Sequence, residues 1–287
     1  MKGIVLISLG NPYYIRMAHQ LALSLKANEN IPIHLVTNNV HYLEGYQKRY
    51  FDSIEEPSLD KYSKNNTIQP IKAKTYIYDF SPFDETIFLD ADMIVLNQKK
   101  ISYLFDELKN VELTIANRGS SDISIADEKT SQWADLRKFR EVYKLDGKWF
   151  QLSSEFIYFK KTERVKQFFD TAKEIYDNPK SDYNLFADGM ADELAFGLSC
   201  IINNIYPHVE NFTPVYWSHA EKRYVKKIDP YINENYYGYS MGGAHASKNQ
   251  KEFYDNMMVY YHNKLGLKPS FFPAQNKSKY LTERSKI

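Results

Sequence analysis

The chain has 287 residues, 43% hydrophobic, 15% aromatic and 25% charged, and 37 Lys and Arg against 36 Asp and Glu leave a net charge of +1. That length suits one sizeable α/β domain or two small ones, and the near-zero charge excludes a global field drawing the protein onto DNA or an anionic membrane. The single cysteine, Cys200, excludes an intramolecular disulfide framework and fits a reducing compartment.

The chain opens on a short apolar run with one charge, Met1-Lys2-Gly3-Ile4-Val5-Leu6-Ile7. No small-residue cleavage pattern follows, so residues 3–9 read as a first strand and not a signal peptide. Their unbroken apolar character suits a strand buried on both faces of a parallel sheet. Gly10-Asn11-Pro12 breaks the strand, and residues 14–26 carry apolar side chains at helical spacing: Ile15, Ala18, Leu21, Ala22 and Leu25. A second strand follows at 31–36, then an amphipathic segment at 42–50 and a polar stretch at 55–70. This β-α-β-α opening is the pattern of a nucleotide-binding α/β half.

Residues 72–80 predict a helix stopped by Ser81-Pro82, and the strand Thr86-Ile87-Phe88-Leu89 runs straight into Asp90-Ala91-Asp92 before Met93 resumes the apolar run. A strand is expected at 112–116, a polar loop at 117–130 and a helix at 131–145 capped by Ser131. Residues 156–159 predict a strand, and Thr162 caps a helix whose Val165, Phe168, Phe169, Ala172 and Ile175 face inward. A strongly apolar helix spans 192–202, where Cys200 is expected to be a buried, inert thiol. Strand and loop continue past Gly242-Gly243 to about residue 248, and a last amphipathic helix spans 250–265. No stretch approaches the ~18 apolar residues of a membrane span, so a cytoplasmic protein is expected.

The strongest local signal is Asp90-Ala91-Asp92. The tripeptide alone is common, but here an apolar strand delivers two carboxylates at its carboxyl end, the edge where open α/β sheets bind ligands. Two hard oxygen donors so placed suit Mn²⁺ or Mg²⁺ bridging a diphosphate. In glycosyl transfer such an ion neutralises the diphosphate leaving group. A haloacid-dehalogenase-type phosphatase instead uses the first Asp as nucleophile, but on the first strand and followed by Gly-Thr or a close variant, and neither holds here.

The ordered set of motifs resembles the glycogenin-type and lipopolysaccharide-galactosyltransferase-type retaining glycosyltransferases. Gly10-Asn11-Pro12-Tyr13-Tyr14 stands where that family binds uridine, and Lys74 stands 16 residues before Asp90, where it has a donor-contacting Lys. Phe88-Leu89-Asp90-Ala91-Asp92 is similar to its Phe-Met-Asp-Ala-Asp, and the strand around Ser154 to its Phe-Asn-Ser-Gly-Val-Phe-Val-Tyr. Asp192-Glu193 resembles its Asp-Gln pair, and Gly243-Ala244-His245-Ala246-Ser247-Lys248 lies where it places a metal-binding His near a phosphate-binding Lys. The likeness covers about residues 1–250. Ser153 and Glu155 replace the family's Asn and Gly, Glu193 replaces its Gln, and His245 lacks its closing Lys-Pro-Trp.

The resemblance implies a GT-A fold: a single α/β domain over 1–248, with a Rossmann-like nucleotide-binding half at about 1–97, an acceptor half at about 98–248, a mixed central sheet and a C-terminal helical tail at 249–287. It implies Asp90, Asp92 and His245 as metal ligands, with His219 as rival to His245. Gly10, Asn11, Tyr13, Tyr14, Lys74, Asp90, Ala91, Ser154 and Lys248 would bind a nucleotide-sugar donor, UDP-linked, with Tyr13 or Tyr14 stacking on the base or packing in the core. Asp192 and Glu193 would position the sugar or stabilise an oxocarbenium-like centre. Asp188, four residues before Asp192, is either a donor contact or a loop carboxylate. Glu193 as nucleophile would give a double displacement, whereas front-face transfer needs none.

The tail carries Lys264, Lys268, Lys277, Lys279, Arg284 and Lys286 against Glu283, with Phe271-Phe272-Pro273 interleaved. It suits an anionic membrane face or nucleic acid, or is a solvated tail. The acceptor is expected to be a surface glycan, a protein or a modified DNA base. A sugar nucleotidyltransferase is the rival enzyme, against which stands the lack of a Gly-rich basic loop after the first strand. A non-catalytic binding module of the same fold is the rival outside enzymes.

Overall fold

The computed structural model describes residues 1–65, 67–96, 98–186, 189–217, 230–242 and 246–267. The basic and aromatic tail from Lys268 onward lies outside the described residues. In chain order the elements are β1 (Lys2–Ser8), α1 (Pro12–Asn28), β2 (Ile33–Thr37), α2 (Gly45–Lys48), β3 (Ser53–Glu55), β4 (Ser63–Lys64) and β5 (Thr67–Ile68). Next come α3 (Pro70–Lys74), α4 (Ile77–Phe80), β6 (Glu85–Leu89), β7 (Met93–Val95), α5 (Tyr103–Glu107), β8 (Leu113–Asp122) and α6 (Leu136–Tyr143). The chain continues through β9 (Lys148–Lys160), α7 (Glu163–Asp177), α8 (Asp192–Ile202), β10 (Val215–Trp217), α9 (Pro230–Asn235), β11 (Gly238–Ser240) and α10 (Lys248–Lys264).

A six-stranded sheet has the order β3-β2-β1-β6-β9-β8, and a three-stranded one the order β10-β11-β7. The large sheet is mixed: β1 runs parallel to β6 and β2 to β3, while β8 and β9 are antiparallel. Ile4, Val5 and Leu6 of β1 are fully buried, as an apolar strand flanked on both faces requires.

Several boundaries differ from expectation for local reasons. The helix expected at 72–80 is two short helices, α3 and α4. The expected Ser131 cap is replaced by Asp135, whose carboxylate accepts from Arg137 N, so α6 begins later; Ser131 Oγ accepts from Trp133 N at 3.1 Å in a turn of its own. Strand β8 runs on to Asp122, through residues expected to be loop, because its ladder with β9 survives two register shifts. The Thr162 cap is present, with Oγ1 accepting from Val165 N.

By packing, the residues separate into two units. The first comprises 1–5, 58–88 and 110–213; the second comprises 6–57, 89–109 and 214–287. In the first unit α7 and α8 pack together, with the Phe168 and Phe196 rings stacked at 5.9 Å. Gly197 of α8 sits beneath Trp149 of β9, where an added Cβ would lie 2.6 Å from the indole. Cys200 is buried and its thiol is pushed up by that burial alone.

In the second unit α1 and α10 share a core of Met17, Leu23, Ile94, Tyr254, Met257 and Tyr261. Buried hydroxyls tie these elements to β7: Ser24 Oγ accepts from Val95 N at 3.2 Å, and the Tyr261 hydroxyl donates to Val95 O at 2.6 Å. Strand β7 pairs antiparallel with β11, which fixes the segment leaving the two acids.

Candidate functional site

In the second unit, β6 ends at Leu89 and the chain turns through Asp90-Ala91-Asp92, closed by Met93 N donating to Asp90 O at 3.2 Å. Ala91 is buried, whereas Asp90 and Asp92 are half-buried. The turn is held from the other side by Met241 N, which donates to Asp92 O at 3.2 Å. Two carboxylates on one anchored turn are a donor set that fits Mn²⁺ or Mg²⁺.

The same unit holds the glycine turn. Gly10 has φ +77, a left-handed backbone open to glycine at no steric cost. Asn11 caps α1, its Oδ1 accepting from Tyr13 N at 3.0 Å, and Pro12 follows at the position that tolerates a missing N–H. The break seen in the sequence is thus a helix start. Asn38 and Asn39, just past β2, were not singled out by sequence, yet they lock this turn: Gly10 N donates to Asn38 Oδ1 at 2.9 Å, and Asn39 Nδ2 donates to Gly10 O at 3.0 Å. Their legible signal was a polar pair at a strand's carboxyl end.

The Tyr13 and Tyr14 rings meet edge to face at 6.1 Å and also pack on the shared core. Burial raises the Tyr13 phenol well above its usual range, with Asp255, Tyr14 and Asp92 adding to it. Asp255 of α10 is another residue sequence reading passed over; burial lifts its carboxyl to about 6. Lys248, at the first position of α10, is exposed beside a capping box in which Ser247 N donates to Gln250 Oε1 at 2.6 Å.

In the first unit four expected residues come together. Lys74 closes α3, and its Nζ donates to Ser154 Oγ at 3.3 Å and lies 3.4 Å from Asp192 Oδ2. Ser154 Oγ donates to Glu193 Oε1 at 3.4 Å. The side chains of Lys74 and Asp192 are 13% and 2% exposed, so this is a largely buried pair. Ser154 is delivered by an irregularity: the β8–β9 register jumps from Ile115↔Ile157 to Ala116↔Ser153, leaving Ser154, Glu155 and Phe156 in a bulge. Bulges re-aim side chains in this way. Asp192 and Glu193 occupy the first turn of α8, where the helix dipole favours negative charge.

Asp188, Gly243, His245 and the rival His219 lie outside the described residues. Among the described residues, no group of three or more His, Cys, Asp or Glu side chains gathers in a metal-holding arrangement.

No protein-family model matches the sequence, and no curated protein matches it either. Solved structures match by fold. The galactosyltransferase LgtC, in complex with donor and acceptor sugar analogues, has a TM-score of 0.56 at 14% identity, covering 97% of this chain and 100% of its own. The bifunctional glycosyltransferase WbbM has a TM-score of 0.56 at 12% identity, covering 91% of this chain and 51% of its own. The glycosyltransferase GlyE of Streptococcus pneumoniae has a TM-score of 0.52 at 13% identity, covering 97% and 64%. The chain therefore spans about half the length of WbbM. A mixed α/β chain with this sheet has the GT-A glycosyltransferase fold.

Proposed function

We propose that this protein is a metal-dependent retaining glycosyltransferase that takes a sugar from a nucleotide-sugar, UDP-linked, and transfers it to an acceptor. The observation that carries this reading is the anchored Asp90-Ala91-Asp92 turn at the end of a strand of a GT-A sheet. Asp90 and Asp92 would hold Mn²⁺ or Mg²⁺, with His245 as third ligand; the bound ion supplies charge neutralisation of the departing diphosphate. Gly10, Asn11, Tyr13 and Tyr14 would receive the nucleotide, and Lys248 its phosphates. Asp192, Glu193, Ser154 and Lys74 would orient the sugar.

Ser154 and Lys74 hold the two carboxylates in place, so neither needs to reorganise as positive charge develops at the anomeric carbon. Two routes follow for retention. A double displacement through Glu193 leaves a glycosyl-enzyme adduct, visible as a mass increment on the denatured protein; front-face transfer leaves none. The acceptor class is a surface glycan, a protein or a modified DNA base. Among the described residues no helix is long and apolar enough to cross a membrane.

The test is incubation with a panel of nucleotide-sugars and Mn²⁺, measuring released nucleotide. UDP release is expected from at least one UDP-sugar, and Asp92→Asn should lower it about 10²–10³-fold, the scale of losing one electrostatic stabiliser. Turnover that survives Asp92→Asn, or pyrophosphate-dependent chemistry in its place, would overturn the reading.

A further inference from the structure

Away from the Lys74 cluster, two loops of the first unit meet and present rings to water. Trp133 lies in the turn before α6, and Phe186 in the segment that follows α7. Their ring centroids are 5.0 Å apart and the planes are set at 58°. Trp133 is half-buried, Phe186 is 40% exposed and its neighbour Leu185 is 73% exposed. Three hydrogen bonds fix the pair: Trp133 N donates to Ser131 Oγ at 3.1 Å, Asn184 N to Trp133 O at 2.7 Å, and Asn184 Nδ2 to Gln132 O at 2.9 Å. Bulky apolar side chains gathered at the surface mark a contact site, and holding them in place beforehand lowers the entropy lost on binding.

The patch is tied to the candidate site through the backbone. Phe186 N donates to Gly189 O at 2.8 Å, and Gly189 N to Phe186 O at 3.1 Å. Gly189 lies three residues before Asp192, so the α-carbons of Phe186 and Asp192 are within about 16 Å, a distance a short glycan spans. Charge selects the occupant. Arg137 bonds Asp135 twice, at 3.0 and 2.9 Å, and lies 3.7 Å from Glu128, while Lys138 lies 3.8 Å from Asp182. A nucleic acid draws its affinity from cations aimed at its phosphates, and these two are already matched by acids. A neutral sugar asks for what is present: an aromatic surface for its C–H face, and polar groups for its hydroxyls, here the exposed amides of Gln132 and Asn184.

We propose that Trp133 and Phe186 form a stacking platform for a neutral sugar unit of an acceptor glycan. This deepens the glycosyltransferase reading and rests on it for the glycan being the acceptor; the platform itself requires only that a glycan binds. Of the three acceptor classes, a glycan is then the one this surface takes.

The experiment is titration of the full chain with maltotriose, cellotriose, chitotriose and lacto-N-neotetraose, followed by calorimetry and by tryptophan emission. Wild type should bind at least one of them, with a change in emission. Phe186→Ala should bind it about 5–10-fold more weakly, the size of one aromatic contact, and Phe186→Tyr, which keeps a ring, should bind as wild type does. Trp133→Phe should still bind by calorimetry but lose the emission change, since Trp149 is buried away from any ligand. The melting temperature of Phe186→Ala should stay within about 2 °C of wild type, as for other exposed positions.

A wild type that binds none of the four overturns the proposal. So does equal binding by Phe186→Ala, or a Phe186-dependent affinity for oligothymidylate or an unglycosylated peptide in place of the sugars. Should Phe186→Ala fail to fold, the emission change decides: its persistence in Trp133→Phe places the sugar elsewhere. Phe186-dependent binding without transfer from any nucleotide-sugar leaves the platform standing and overturns the transferase reading; UDP release without such binding does the reverse.

Discussion

Lys74 and Asp192, two residues of the candidate site, also form a pair that bears on folding. At 3.4 Å and largely buried, the ammonium compensates a carboxylate that water no longer reaches. Removing one partner of such a pair leaves the other charged and desolvated, which typically costs about 3–5 kcal/mol. Lys74→Met should therefore lower unfolding stability by roughly 3 kcal/mol, and adding Asp192→Asn should recover part of that loss. Urea unfolding of the two single variants and the double variant gives the coupling; strictly additive losses would mean that the pair does not act as one.

At the scale of elements, α8 is held by one close approach. Gly197 to Ala gains up to about 1 kcal/mol of helix propensity, but the new methyl would press on the Trp149 ring at 2.6 Å. Overpacking of that kind costs about 1–3 kcal/mol, so Gly197→Ala should destabilise on balance. A melting temperature at or above wild type would show that Trp149 moves aside freely.

Helix α8 was also the most legible element in the sequence, since an acidic opening and an unbroken apolar run leave little else for residues 192–202 to be. Strand β1, α7 with its Thr162 cap and the Asp90-Ala91-Asp92 turn were legible for the same reason: each is encoded by neighbours in the chain. What escaped was encoded by distant partners. Strand β8 continues past Ala116 because β9 pairs with it. Asn38 and Asn39 hold Gly10 across 28 and 29 residues. The bulge that carries Ser154 into reach of Lys74 is a property of two strands, and neither strand's sequence announces it.

Over the whole molecule, acid stability should report a buried imidazole and a half-buried carboxyl of opposite sign. His19 of α1 is 1% exposed, and neither ring nitrogen has a hydrogen-bond partner. Burial, then His262, holds its imidazole down to about 3 from 6.5. The folded state thus binds fewer protons there than the unfolded chain, so this contribution is complete above about pH 6.5 and is lost as pH falls towards 3. Asp255 runs the other way: with its carboxyl lifted from 3.8 to about 6, the folded state binds more protons, and its contribution is lost as pH rises across that window. Denaturant unfolding at pH 7.5 and pH 5 should show a smaller acid loss in His19→Leu than in wild type, and a larger one in Asp255→Asn. Identical losses in all three proteins would locate the acid sensitivity elsewhere.

The chain's lone thiol offers a clock. Cys200 lies inside α8, one turn from Gly197, and a protonated, enclosed sulfur does not react with alkylating or disulfide reagents until the helix lifts away. Its labelling rate therefore times the opening of the helix that presents Asp192 and Glu193. Any small molecule that grips those acids should slow the labelling in proportion to its occupancy, so that a ligand screen on this helix needs no assay of turnover.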